Sequence, residues 1–342
     1  MGFWQTTLED ILKVLVTGNL GYVGSHLTEI LLSAGHEVIG CDLSLFPKAI
    51  CRDMPTPTRQ LIKDFRSISS EDLEGVDAIA HLAGISNDPM GELNPGLTQK
   101  INGEGSVWLG EIAKKTGIKV FAFASSCSIY GSAGDLPRTE KDSTNPLSEY
   151  AASKLFAEEG LSNLASSNFH VYLLRNATAY GASSVLRTDL VVNDLSAGMC
   201  ANGVAEIKSD GSPWRPLIHC RDMARAFKEF IEKNPGQVSG RPVNVGFDSE
   251  NFQVKDVGSG VQAAWPEGKV TYLPNASSDP RNYKVSFALL NSIFPSFKPE
   301  NPLSVGIPDL RKLLQEIKYS ASDRVSKKYV RLNELQLRIG EL

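Results

Sequence analysis

The chain is poor in cysteine and histidine, with 5 of each among 342 residues. Cys41, Cys51, Cys127, Cys200 and Cys220 are scattered, odd in number and never spaced C-x-x-C. That argues against a disulfide framework or a zinc site and favours a reducing compartment. The histidines show no ligand spacing such as H-E-x-x-H, so no metal is expected. Neither sign of charge dominates: 35 Lys and Arg stand against 39 Asp and Glu, a formal net charge of -4. Nucleic acid is therefore not an expected partner. No run approaches the ~20 apolar residues that span a bilayer. Residues 1–13 lack the basic-then-apolar order of a secretory signal, so a cytoplasmic protein without membrane contact is expected. In that setting the sequons Asn176-Ala-Thr and Asn275-Ala-Ser read as chance matches.

What is present is ordinary in amount and regular in pattern. Hydrophobic residues make up 42% and charged residues 22%, the balance of a globular chain of one large or two modest domains. Apolar runs of strand length occur at 13–17, 36–41, 76–83, 120–125 and 170–175, and helical periodicity at 25–34, 105–115 and 150–165. Strands alternating with helices predict an α/β fold, a doubly wound parallel sheet of the Rossmann type over residues 13–180. Beyond about residue 180 prolines punctuate shorter elements. The expectation there is a smaller mixed α/β substrate-binding lobe over 181–318, some of it returning to the sheet, and a polar tail over 319–342.

The first strand ends in the turn Gly18-x-x-Gly21-x-x-Gly24, followed directly by a helix. Glycines there let backbone approach a pyrophosphate, and the helix N-terminus offers N–H groups and a positive dipole end. No lysine follows, so the turn is not a triphosphate loop. Asp42 closes the second strand, where a carboxylate accepts from the adenosine ribose hydroxyls. Leu43 and Ser44 follow it rather than arginine, which favours NAD over NADP. Further on, Tyr150-x-x-x-Lys154 places a phenol and an ammonium one helical turn apart. A cation there is expected to lower the phenol's pKa and make it a proton acceptor for an alcohol. On residue type alone Ser125, Ser126 and Ser128 are rival hydroxyl donors to that alcohol.

These motifs occur in a familiar order. Thr17 to Gly24, Asp42, Asp64-Phe65, His81-Leu-Ala-Gly84, Asn102, Ser125-Ser-Cys-Ser-Ile-Tyr-Gly131, Tyr150-x-x-x-Lys154 and Gly211-Ser-Pro-Trp-Arg-Pro-Leu-Ile-His219 together resemble an extended short-chain dehydrogenase/reductase of the nucleotide-sugar epimerase/dehydratase family. The resemblance implies that Tyr22 and Val23 lie over the pyrophosphate and that Asp64 and Phe65 border the adenine. It also implies that Leu82, Ala83, Gly84, Asn102 and Ala177 line the cofactor. It selects Ser126 as the catalytic hydroxyl, Tyr150 as acid/base and Lys154 as the residue that binds the nicotinamide ribose. Arg215 matches a family arginine facing nucleotide or diphosphate, with Ser126, Ser128, Thr178, Arg187 and Arg281 as further substrate candidates. Family 4,6-dehydratases resemble one another in an Asp-Glu pair after the catalytic Thr. Cys127 and Ser128 stand there instead, which disfavours dehydration.

The expected activity is NAD-dependent epimerisation of a nucleotide sugar, at C4; the resemblance further implies a homodimer joined through two helices per subunit, near 100–115 and 150–165. A sugar ketoreductase or dehydrogenase would share every catalytic residue. A non-catalytic dinucleotide scaffold would not need Ser126, Tyr150 and Lys154 intact.

Overall fold

The computed structural model describes residues 11–132, 136–273 and 282–341. Its centre is a seven-stranded parallel sheet of the Rossmann type: β1 (Lys13–Thr17), β2 (Glu37–Asp42), β3 (Arg59–Ile62), β4 (Ala78–His81), β5 (Val120–Ser126), β6 (His170–Asn176) and β7 (Pro242–Val245). The spatial order is β7-β6-β5-β4-β1-β2-β3. The helices α1 (Gly24–Ser33), α2 (Gly105–Lys115), α3 (Glu149–Ser162) and α4 (Cys220–Lys233) pack on its two faces. Strand order reverses between β1 and β4, which pair up to Thr17 opposite His81. A crevice for ligand opens at the carboxyl ends of strands at such a reversal.

Residue alternation in the strands builds both cores at once. Val14 and Val16 join Leu27, Leu31 and Phe227 on one face. Leu15 joins Ile79, Phe121, Phe123, Leu109 and Leu161 on the other. All are fully buried, and each larger side chain of this kind contributes about 1.5–3 kcal/mol relative to exposure. Period two with both faces apolar is why these strands read as near-continuous hydrophobic runs. β3, with its half-exposed Arg-Gln-Leu-Ile, carries no such run and was not expected.

The second lobe is built on a three-stranded sheet of Asn251–Gln253, Trp214–His219 and Thr178–Tyr180, and on a parallel pair, Val204–Ile207 with Lys269–Tyr272. Helices Val191–Asn202, Val254–Ala264 and Leu303–Glu316 cover a third apolar cluster containing Val192, Leu217, Val261, Leu310 and Leu313. β7 brings the chain back to the central sheet in the middle of this region. The segment read as a polar tail carries α5 (Arg331–Arg338), whose Leu335 packs in the same cluster as Leu15 and Phe65.

A buried ion pair ties α3 to the sheet. Arg175 Nη2 lies 2.7 Å from Glu158 Oε2, with Nε bridging both carboxylate oxygens. Arg175 Nη1 donates to the Tyr130 hydroxyl at 3.0 Å, which donates to Asn244 on β7 at 2.7 Å. Ser125 Oγ also donates to Glu158. Removing one partner of such a pair strands the other charge in a dry interior. Glu158→Gln is expected to lower unfolding stability by about 3–5 kcal/mol. Urea denaturation followed by far-ultraviolet circular dichroism measures it, and a loss below about 1 kcal/mol, the worth of an exposed pair, would show the pair to be solvated.

Candidate active site

A cavity of about 610 Å³ runs along the carboxyl ends of the strands and into the second lobe. Its floor is held by side chains at the reversal of strand order. Thr17 Oγ1 hydrogen-bonds His81 Nδ1 at 2.7 Å and accepts from Ala83 N at 3.2 Å, while His81 Nε2 pairs with Ser106 Oγ at 3.0 Å. Burial pushes His81 down to about 3, so it is neutral there.

The glycine turn fits a dinucleotide's pyrophosphate. Gly18 has φ +74°, and a Cβ on it would lie 2.8 Å from Ala83 N. A Cβ on Gly24 would lie 2.0 Å from Gly18 O. Only glycine permits this approach, and it leaves backbone as the wall. Helix α1 starts beside it with no side-chain cap and no acidic residue in its first turn, so no side chain competes with an anion for the N-terminal end of the helix. Asp42 is fixed beyond it, accepting from Ser44 N at 2.7 Å and Leu20 N at 3.3 Å. Burial raises the Asp42 pKa, opposed by these bonds and by Arg331. Lys63, a basic residue lining that end, is held 2.6 Å from Asp72. The donor set suits a ribose hydroxyl pair and is poorly suited to a 2′-phosphate.

Tyr22, Val23, Leu82, Ala83, Gly84, Asp64, Phe65 and Ala177 all line this cavity. The Asp64 carboxylate is engaged by Arg66, 2.6 Å away. Asn102 lies behind the wall: it accepts from Ile85 N and donates to Ile85 O, each at 2.9 Å, and so holds the loop after Gly84. It sits on a π-helical turn, Gln99–Glu104.

Ser148 caps α3 by accepting from Ala151 N at 3.1 Å. Tyr150 and Lys154 therefore stand one turn apart on the face toward the cavity. Lys154 Nζ lies 5.9 Å from the Tyr150 ring centre and 4.7 Å from that of Phe123. Among the three serines, Ser125 is taken up by Glu158. Ser126 Oγ accepts from Ser128 N at 3.2 Å and lines the cavity with Tyr150, while the Ser128 hydroxyl is buried in the cavity wall without a partner among the described residues. Cys127 turns away, donating to Arg175 O at 3.1 Å, with its thiol pushed up by burial.

One expectation is corrected. The Tyr150 pKa is raised, to about 12, by burial and then by Asp88, with Ser126 and Arg187 opposing. Burial pushes Lys154 down to about 7, with Glu158 opposing. Desolvation penalises both charges, and it outweighs the attraction read from the spacing.

On the substrate side, Arg187 is committed to Asp189 through two bonds, 2.8 and 3.0 Å, and to Ser86 at 3.1 Å. Arg215 lines the lobe end of the cavity and donates to Trp214 O at 2.8 Å. Thr178 lines the cavity; Arg281 lies outside the described residues. Sequence reasoning missed the 86–90 loop, Phe46 and α5, which complete the wall with Val330, Arg331, Leu332 and Leu335. The i, i+4 pair Arg331 and Leu335 signals a helix but not its destination. Among the described residues, no helix is long and apolar enough to cross a membrane, and no cluster of His, Cys, Asp and Glu could hold a metal ion.

A glycine-cradled dinucleotide site joined to Ser, Tyr and Lys defines an extended short-chain dehydrogenase/reductase. Comparison with known proteins agrees. The model of the NAD dependent epimerase/dehydratase family matches residues 14–246. The chain is 30% identical over 252 residues to an uncharacterised UDP-glucose epimerase of Bacillus subtilis, covering 69% of this chain and 77% of that protein. It is 26% identical over 307 residues to UDP-glucuronic acid decarboxylase 4 of Arabidopsis thaliana, covering 87% and 67%. The structure of MoeE5 in complex with UDP-glucose and NAD matches with a TM-score of 0.76 and 25% identity, covering 89% of this chain and 99% of that one. The chain belongs to the NAD-dependent epimerase/dehydratase family. It is an enzyme of the nucleotide-sugar epimerase/dehydratase type, and its cofactor is NAD.

The depressed Lys154 pKa has a consequence for stability. The folded protein binds fewer protons than the unfolded chain between about pH 7 and the ordinary lysine value of 10.5, so this group's contribution rises with pH across that window. The cofactor-free protein is expected to gain thermal stability relative to Lys154→Met as pH is raised from about 7 to about 10. A pH-independent difference in melting temperature would show Lys154 to be charged and hydrated.

Proposed function

We propose that the protein is an NAD-dependent nucleotide-sugar epimerase acting at C4. The observation that carries this reading is that Ser126, Tyr150 and Lys154 share one cavity with the glycine cradle, while no carboxylate stands at 127 or 128. Bound NAD supplies hydride acceptance and return at the sugar carbon. Tyr150 Oη exchanges the proton of the C4 hydroxyl, and Ser126 Oγ, which lines the same cavity, orients that oxygen. Lys154, beside Gly84 at the cofactor end, holds the ribose and supplies positive charge as the proton moves. Dehydration at C5 and C6 would need a second acid/base. Cys127 points out of the cavity and Ser128 has no acidity to offer.

The cavity's far end fits a nucleoside diphosphate, with Arg215 and Lys208 along its wall. Relatives acting on UDP-glucose support a nucleotide sugar as substrate. The proposal includes a cytoplasmic homodimer through the outer faces of α2 and α3, where Phe156 is 45% exposed.

The protein as purified is expected to carry NAD and to convert one member of a panel of UDP-, dTDP- and GDP-sugars to its C4 epimer. Proton NMR follows the product while absorbance at 340 nm stays constant. Tyr150→Phe is expected to slow turnover about 10²–10⁴-fold with NAD content retained. A stoichiometric change at 340 nm with a sugar would replace this reading by a dehydrogenase or reductase.

A further inference from the structure

Arg331 is a buried cation that makes no direct ion pair among the described residues. It is 8% exposed, and its Nε and Nη2 have no hydrogen-bond partner among the described residues. Buried guanidinium groups are ordinarily satisfied by carboxylates or phosphates, because desolvating the charge is otherwise too costly. Asp42 and Asp189 are near enough to favour the charge but make no bond to these two nitrogens; burial and Arg187 together pull the pKa down to about 9.

The unused nitrogens are at the phosphate site. A Cβ on Gly21 would lie 3.9 Å from Arg331 Nη2, so the guanidinium stands directly over the glycine turn and the uncapped start of α1. Arg331 lines the same cavity as Gly18, Gly21 and Gly24. Its position is set from several sides. The guanidinium stacks over Phe46 at 4.8 Å. Leu335, one turn later on α5, is buried against the sheet's helices. Thr188 N donates to Tyr329 O at 3.0 Å just before the helix, and within it Glu334 pairs with Lys48 at 3.3 Å.

We propose that Arg331 is a ligand of the dinucleotide's pyrophosphate, delivered by α5 to the phosphate site that the 18–24 glycine turn forms. Backbone N–H groups and the α1 dipole approach the anion from one side, and the planar fork of Arg331 closes it from the other. The inference rests on the family's NAD and not on epimerisation, so it survives if the sugar chemistry is reassigned. A sugar nucleotide offers the same diphosphate chemistry, but Gly21 places Arg331 on the cofactor's.

The test is titration calorimetry on nucleotide-stripped protein with NAD, ADP-ribose, adenosine and UDP-glucose. For Arg331→Gln, the Kd of NAD and ADP-ribose is expected to rise about ten- to hundredfold while that of adenosine, which has no phosphate, stays within about twofold. Arg331→Lys, which keeps the charge without the fork, is expected to fall between wild type and Arg331→Gln. Unchanged NAD affinity, or an equal loss for adenosine, would overturn the assignment and make Arg331 a packing residue. A loss confined to UDP-glucose would overturn it in favour of the sugar nucleotide's diphosphate. A wild-type protein that binds no NAD would instead remove the cofactor assignment itself.

Discussion

Where β1 ends, two stretches of backbone pass closer than any side chain allows, and the rest of the site follows from that passage. A Cβ on Gly18 would lie 2.8 Å from Ala83 N, at the point where strand order reverses. Because the turn is bare backbone, α1 can start directly against the cavity, and Leu82, Ala83 and Gly84 can form its wall. Thr17 and His81 lock the two strand ends together beneath it. The glycine turn, Asp42 and the part of the cavity beside Tyr150 are spaced from this one crossing.

The helix α3 does two jobs with a single stripe. Tyr150, Lys154 and Glu158 recur every four residues and so face one way. The first two stand in the cavity, and the third anchors Arg175 on β6. Lys154 and Glu158 are buried and Tyr150 is half-buried, and the charges moderate one another: Glu158 favours the Lys154 cation, and Lys154 disfavours a charged His81. The Tyr150 hydroxyl thus stands near charges held in buried pairs, Glu158 with Arg175 and Arg187 with Asp189.

Much of this was legible in the sequence. The two-sided sheet announced itself as apolar runs such as 13–17 and 120–125, because both faces of each strand are covered. The glycine turn, Asp42 and the Tyr-Lys pair were legible because each is a local pattern with a local geometric cause. The direction of the Tyr150 shift was not, because spacing reports proximity whereas burial depends on everything packed around α3. Asn102 was read as a lining residue, since a motif does not say which way an amide points. β3 escaped notice because an edge strand carries no strong pattern. Arg331 was unreadable for the reason that long-range contacts generally are: some three hundred residues of chain separate it from Gly21, and its polar helix resembles a solvated terminus.

That separation bears on how the protein is made. Chains fold as they leave the ribosome, N-terminal parts first. The glycine turn, β1 to β6 and the whole of α3 emerge well before α5. Until α5 arrives, the surface beside Phe46 and Phe65 on which Arg331 and Leu335 pack has no cover from it. The glycine turn and the helix that carries Tyr150 are therefore translated well before α5, the element that closes this end of their cavity.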